Sequence, residues 1–155
     1  MKSLFDFIVE PVGQRYSNEV KVGDKSLIIN TQIETFKSVN NIAKVVEIPK
    51  IYNTSIKVGD LIIIHHNVFR RWYNVRGEEK NSKAYFKENL YFVQLDQVYL
   101  YKTKNTWKAF GNRCFVSPIK DTIDIHNNLE QFLVGILKYG NSALEVLGIN
   151  EGDLV

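Results

Sequence analysis

A chain of 155 residues, 45% hydrophobic and 24% charged, can close one respectable core or one core plus a small dependent module, but not two large domains. Its 20 basic and 17 acidic residues leave a formal charge of +3, which is too balanced to name a nucleic-acid partner. Nine Phe, eight Tyr and two Trp favour strands with a packed face and argue against disorder over the whole chain, and a single cysteine, Cys114, excludes an intramolecular disulfide and a multi-cysteine zinc site.

In chain order, Phe5 to Pro11 (FDFIVEP) reads as a first strand stopped by a proline that could not donate within a central ladder. Val12 to Asn41 is long and polar, with turn signals at Gly13, Gly23-Asp24 and Asn40-Asn41 and an apolar island, Leu27-Ile28-Ile29, in the middle. Ile42 to Pro49 (IAKVVEIP) is a second strand ending in proline. Gly59-Asp60 is a turn launching the β-branched run of Ile56 to His66, IKVGDLIIIHH, which predicts a buried or nearly buried strand.

Val68 to Lys87 is a basic and aromatic loop or hairpin, carrying Arg70, Arg71, Trp72, Tyr73 and Arg76 against Glu78 and Glu79. Asn89 to Lys102 predicts two short strands separated around Leu95-Asp96-Gln97, and Asn105 to Arg113 reads as a linker with an exposed Trp107. Arg113 to Ile119 (RCFVSPI) restates the opening strand, which places Cys114 as a small buried hydrophobe. Asn127 to Gly140 is ambiguous: Leu129, Phe132, Leu133 and Ile136 also match helical spacing, and its latter part is taken as strand only on the repeat that follows.

Three landmarks recur in order: a strand ending in proline (FIVEP, CFVSPI), a strand with a central small or polar step (IAKVVEIP, LVGILKYG), and a Gly-Asp launch (IKVGDLI, INEGDLV). Gly59 and Gly152 stand 93 residues apart and Pro11 and Pro118 stand 107 apart, so the second copy is shorter between its landmarks. Three matches in one order imply duplication.

With FIVEP, SLIINT at Ser26 to Thr31, AKVVEIP, IKVGDLIIIH and LYFVQLDQVYLYK in this sequence, the chain resembles the co-chaperonin (chaperonin-10, GroES-like) family from about Phe5 to Lys102, and again from Cys114 onward. The resemblance implies an all-β fold: a small GroES-like β-barrel over residues 1–103, with a long loop 12–41 and a basic aromatic hairpin 68–87, followed by a linker and a partial second copy over 104–155. It also implies that Leu27, Ile28 and Ile29 fall where the family's mobile loop carries the aliphatic triplet that docks on a chaperonin ring. The residues alone leave a second reading open, an extra strand packed on the barrel. The chain departs from the family in having Asp24-Lys25-Ser26 beside the triplet where glycines are usual, in the length and charge of the 68–87 insertion, and in reaching only Val155 where the first copy continues through Ile62 to His66.

Other chemistry finds little support. His65 and His66 are neighbours that a strand would point to opposite faces, and no ligand spacing joins them to His126 and Cys114. No phosphate loop, nucleophile elbow or paired-carboxylate motif is present in the sequence, so the expectation is no enzyme, no cofactor and no metal. The functional expectation is a co-chaperonin-like protein that assembles with copies of itself and caps a chaperonin ring, the large partner hydrolysing ATP. The alternatives are a structural component of a larger assembly such as a virion, in contact with neighbouring subunits, and single-stranded nucleic-acid binding through Arg70, Arg71, Trp72, Tyr73 and Arg76, the least favoured of the three. The opening Met1 to Phe7 has no long apolar run, and no stretch reaches the roughly 18 apolar residues of a membrane helix, so no membrane and a cytoplasmic location are expected, with a virion as the alternative.

Overall fold

The computed structural model describes residues 2–16, 19–28, 36–120 and 130–155. The fold is all-β, as expected, with one short helix among the described residues. The chain divides into two compact units, Met1–Thr103 and Lys104–Val155.

The first unit contains β1 (Phe7–Pro11), β2 (Glu19–Val22), β3 (Lys25–Ile28), β4 (Ile42–Glu47), β5 (Leu61–Ile64), β6 (Arg71–Tyr73), β7 (Glu79–Asn81), β8 (Tyr85–Lys87), β9 (Leu90–Val93) and β10 (Val98–Thr103). Within the unit the main sheet runs β10-β5-β4-β1-β9-β8, with every one of these neighbours antiparallel. β2 with β3, and β6 with β7, form two further hairpins. Side chains alternate across a pleated strand, so one face of each is inward: Ala43 and Val45 on β4, Ile62 and Ile64 on β5, Tyr91 and Val93 on β9, and Val98 and Leu100 on β10 are buried. Phe7, Ile8, Val9, Tyr16, Val39, Ile56, Val68 and Phe69 also belong to this core. Each fully buried side chain of this kind contributes about 1.5–3 kcal/mol relative to exposure.

β5 is a half-buried strand, since Leu61 and Ile63 keep some contact with solvent. The aromatic run after Asn89 divides at a 3-10 turn over Leu95–Gln97, where the sequence places its break. His65 and His66 do not point apart as a continuing strand would require. β5 ends at Ile64, His66–Val68 is a 3-10 turn, and the two imidazoles stack with centroids 4.4 Å apart.

The second unit contains β11 (Thr106–Ala109), β12 (Phe115–Lys120), β13 (Glu130–Tyr139) and α1 (Ser142–Val146). The stretch expected to be a linker is thus partly strand, and Trp107 in β11 is half-buried rather than exposed, following the alternation of its strand. The ambiguous segment is strand over Glu130–Tyr139. Pairing with β12 overrides its helical spacing, and Gly135 permits the close approach: a Cβ there would lie 2.2 Å from Val116 Cγ1 and 2.8 Å from the Ser117 carbonyl oxygen. α1, which sequence reading missed, has a legible cap, because the Asn141 side chain accepts hydrogen bonds from the N–H groups of Ala143 and Leu144. Cys114 is exposed, against the expectation of burial.

The repeat is present in the backbone. On β1 and β4, Ile8 pairs with Glu47, Val9 with Val45 and Pro11 with Ala43, with an irregularity between Ile8 and Val9. On β12 and β13, Phe115 pairs with Tyr139, Val116 with Leu137 and Pro118 with Gly135, with an irregularity between Phe115 and Val116. Each second-copy residue stands at the landmark position of its first-copy counterpart. The Gly-Asp turns match as well: Gly59 N–H donates to the Val45 carbonyl and Gly152 N–H to the Leu137 carbonyl, both at 2.8 Å. Lys57 N–H donates to Asp60 Oδ2 at 2.9 Å, and Asn150 N–H to Asp153 Oδ2 at 2.7 Å.

Candidate functional site

The long polar segment after β1 is pinned at its base. Tyr16 pairs antiparallel with Val39, Asn40 N–H donates to the Arg15 carbonyl at 2.8 Å, and Asn40 Nδ2 donates to the carbonyls of Val12 and Gln14, each at 2.9 Å. Tyr16 and Val39 are buried, so this neck belongs to the core. Beyond it, β2 and β3 pair with Val20 opposite Leu27 and Val22 opposite Lys25, turning through Gly23-Asp24 with Gly23 at φ 62°. Only glycine adopts that φ without a steric penalty, which accounts for the Gly-Asp signal there.

Two apolar side chains of the hairpin are described, and neither is buried: Leu27 is 56% exposed and Val22 57%. Leu27 is therefore a strand residue but not a core residue. Of the predicted triplet, Leu27 and the backbone of Ile28 are described, whereas Ile29 lies outside the described residues.

Arg15, just before the neck, holds the second hairpin to the core. Its Nε and Nη2 donate to the Phe69 carbonyl at 3.2 and 2.8 Å, Nη1 donates to Asn81 Oδ1 at 2.8 Å, and the guanidinium lies 5.0 Å from the centroid of the Tyr91 ring. Burial, foremost, pushes the Arg15 pKa below its ordinary value and the Tyr91 pKa above its own. Arg71 is similarly committed. Its N–H donates to Tyr16 Oη at 2.5 Å, its guanidinium stacks 4.6 Å from the Tyr16 ring centroid, and Nη1 pairs with Glu79 Oε1 at 3.0 Å.

The β6–β7 turn is built by Asn74, whose Oδ1 accepts from the N–H groups of Arg76 and Glu78 at 3.0 and 2.9 Å. Glu78 pairs with Lys80 at 2.9 Å and accepts from Asn74 Nδ2 at 3.0 Å, and these two hydrogen bonds, Lys80 first, lower its carboxyl pKa. The hairpin's cations are thus partly matched by its own carboxylates. The structure splits the five residues proposed to contact nucleic acid: Arg71 is engaged internally, Arg70 is half-buried with Nε lacking a hydrogen-bond partner, and Trp72, Tyr73 and Arg76 are exposed.

Elsewhere in the first unit, the stacked His65 and His66 meet Phe36 (5.7 Å between the Phe36 and His66 centroids) and Tyr99 (6.1 Å from His65). Desolvation, followed by the neighbouring His65 and Arg70, lowers the His66 pKa. Among the described residues, no three His, Cys, Asp or Glu side chains gather to hold a metal ion, and no helix is long and apolar enough to cross a membrane.

Sequence reading missed Arg15 and Tyr16 and took Asn40 only as a turn signal, whereas the three together fix the bases of both hairpins. The local signal at Gly13 announces a turn but not these roles, because Arg15 finds its partners at Phe69, Asn81 and Tyr91. Comparison with known protein families, with curated proteins and with solved structures finds no match to this chain.

Proposed function

We propose that the chain is a non-catalytic binding protein of the co-chaperonin type, which presents the β2–β3 hairpin to a chaperonin ring and assembles with copies of itself so that several hairpins engage together. The observation that carries this reading is Leu27, more than half exposed on a hairpin whose base is pinned by Tyr16, Val39 and Asn40. An exposed aliphatic side chain on a short two-stranded projection supplies transferable apolar area, and a two-stranded hairpin alone is marginally stable, so each contact is weak and reversible. Several such contacts on one assembly multiply into firm attachment. The test is co-migration of the purified protein with a chaperonin ring from its own source, with ATP, followed by light scattering and negative-stain imaging.

A second reading, a structural subunit of a larger assembly such as a virion, is favoured by the exposed apolar side chains of the second unit, Phe132 and Leu133 among them. Nucleic-acid binding is the weakest reading, since Arg71, Glu78 and Glu79 satisfy partners inside the β6–β7 hairpin.

A further inference from the structure

We propose that the second unit binds an extended strand, apolar at alternate positions, added antiparallel to the free edge of β12 in the place that β9 takes on β1. This goes beyond the readings proposed above and depends on none of them.

The internal repeat says what belongs on this edge. In the first copy, β1 lies between β4 and β9, with Phe7 opposite Val93, Ile8 opposite Phe92 and Val9 opposite Tyr91. Tyr91 and Val93 are buried, and Phe92 between them is only partly so. In the second copy, β12 pairs with β13 in a two-stranded sheet, and its other edge has no partner among the described strands. The edge residues are Cys114, Phe115 and Val116, at the positions of Phe7, Ile8 and Val9. Pro118, like Pro11, falls beyond the stretch where β9 pairs, so the three edge residues keep their backbone donors. An unpaired edge of this kind is a template for strand addition.

The pattern of burial agrees. Leu137 and Val45, beneath the matching Gly-Asp turns, are both 1% exposed, so the two copies are equally closed at that point. They differ toward the edge that β9 covers in the first copy: Val9 is fully buried but Val116 is 46% exposed, and Phe7 is fully buried but Cys114 is exposed. Val116 and Pro118 of β12 also line an open groove over the β12–β13 pair, shared with Leu133, Gly135 and Val155. The occupant that fits has a large apolar residue opposite Val116, as Tyr91 is opposite Val9, an apolar residue opposite Cys114, and an outward-facing residue of any polarity between them.

The test uses the full chain and a blocked synthetic peptide with the Glu88 to Gln94 sequence, which spans β9. Cys114 alkylation reports on the second unit alone, so displacement of β9 from the first unit does not register. The expected result is saturable binding with Cys114 alkylation slowed at least about tenfold, lost when the Tyr and Val positions of the peptide are changed to Ser, and lost when its backbone is N-methylated at alternate residues. Unchanged alkylation up to millimolar peptide, or equal protection by the N-methylated peptide, overturns strand addition at this edge. Cys114 protected without peptide, together with a concentration-dependent dimer in sedimentation, assigns the edge to a second copy of the chain and overturns the proposal of a separate strand.

Discussion

The Leu137 N–H donates to the Asp153 carbonyl at 2.9 Å, which is also the distance at which Val45 donates to Asp60. A short hydrogen bond across a strand pair is common, but here it sits beneath a Gly-Asp turn in both copies, with Gly59 at φ 94° and Gly152 at φ 99°. The duplication is therefore one of backbone geometry, carried by a turn that an ordinary side chain would strain.

Gly59→Ala places a Cβ on a residue held at positive φ, and strain of this kind costs about 2 kcal/mol. Amide exchange at Val45 should accelerate by about 30-fold, the factor that this energy represents. Gly152→Ala should do the same to Leu137. Unchanged protection at both amides would mean that the turns do not hold their strands.

At Gly135 the limit is space. Any Cβ meets Val116 Cγ1 and the Ser117 carbonyl, so Gly135→Val should loosen the β12–β13 pair by about 1–3 kcal/mol, as overpacking does elsewhere. Loss of amide protection along β12 measures it. The first copy has Ala43 at the corresponding position, and Ala43→Gly should cost about 0.5–1 kcal/mol, at or below the low end of that range.

Arg15→Ala removes two hydrogen bonds to the Phe69 carbonyl, one to Asn81 and the cation–π contact with Tyr91. The expected loss is about 2 kcal/mol in denaturant unfolding, because the Phe69 carbonyl then lacks its charged donor. Arg15→Lys should recover only part of it, since an ammonium cannot span the same fork of acceptors.

The lowered His66 pKa fixes the sign of a pH effect. Between the ordinary value of 6.5 and the lower folded value, the unfolded chain binds more protons than the folded one, so stability falls as pH drops through this window and is flat above it. Denaturant midpoints at pH 7.5 and 5.5 should differ in this direction, and His66→Gln should reduce the difference. An unaltered slope in His66→Gln would place the effect on other groups.

The strands were legible wherever burial and turn chemistry coincide. IKVGDLIII has a turn glycine and β-branched residues, and it becomes β5 with Ile62 and Ile64 inside. The proline-ended strands and the Gly-Asp launches were legible as a repeat because each is a backbone constraint that the sequence must write locally. What remained hidden depends on three-dimensional placement: the Arg15 partners, the stacking of the two imidazoles, and the exposure of Cys114, on a strand that pairs with β13 alone among the described strands. Leu27 was visible as apolar, but only the hairpin geometry distinguishes an exposed side chain from a packed one.

The most direct test of the proposed function compares the chain with Leu27→Ser in binding to a chaperonin ring from its own source, with ATP, alongside thermal unfolding of both proteins. The account predicts unfolding within about 0.5 kcal/mol of the parent, as for exposed positions generally, and at least about tenfold weaker ring binding. Ring binding unchanged in Leu27→Ser, or no binding by the parent chain, would contradict it.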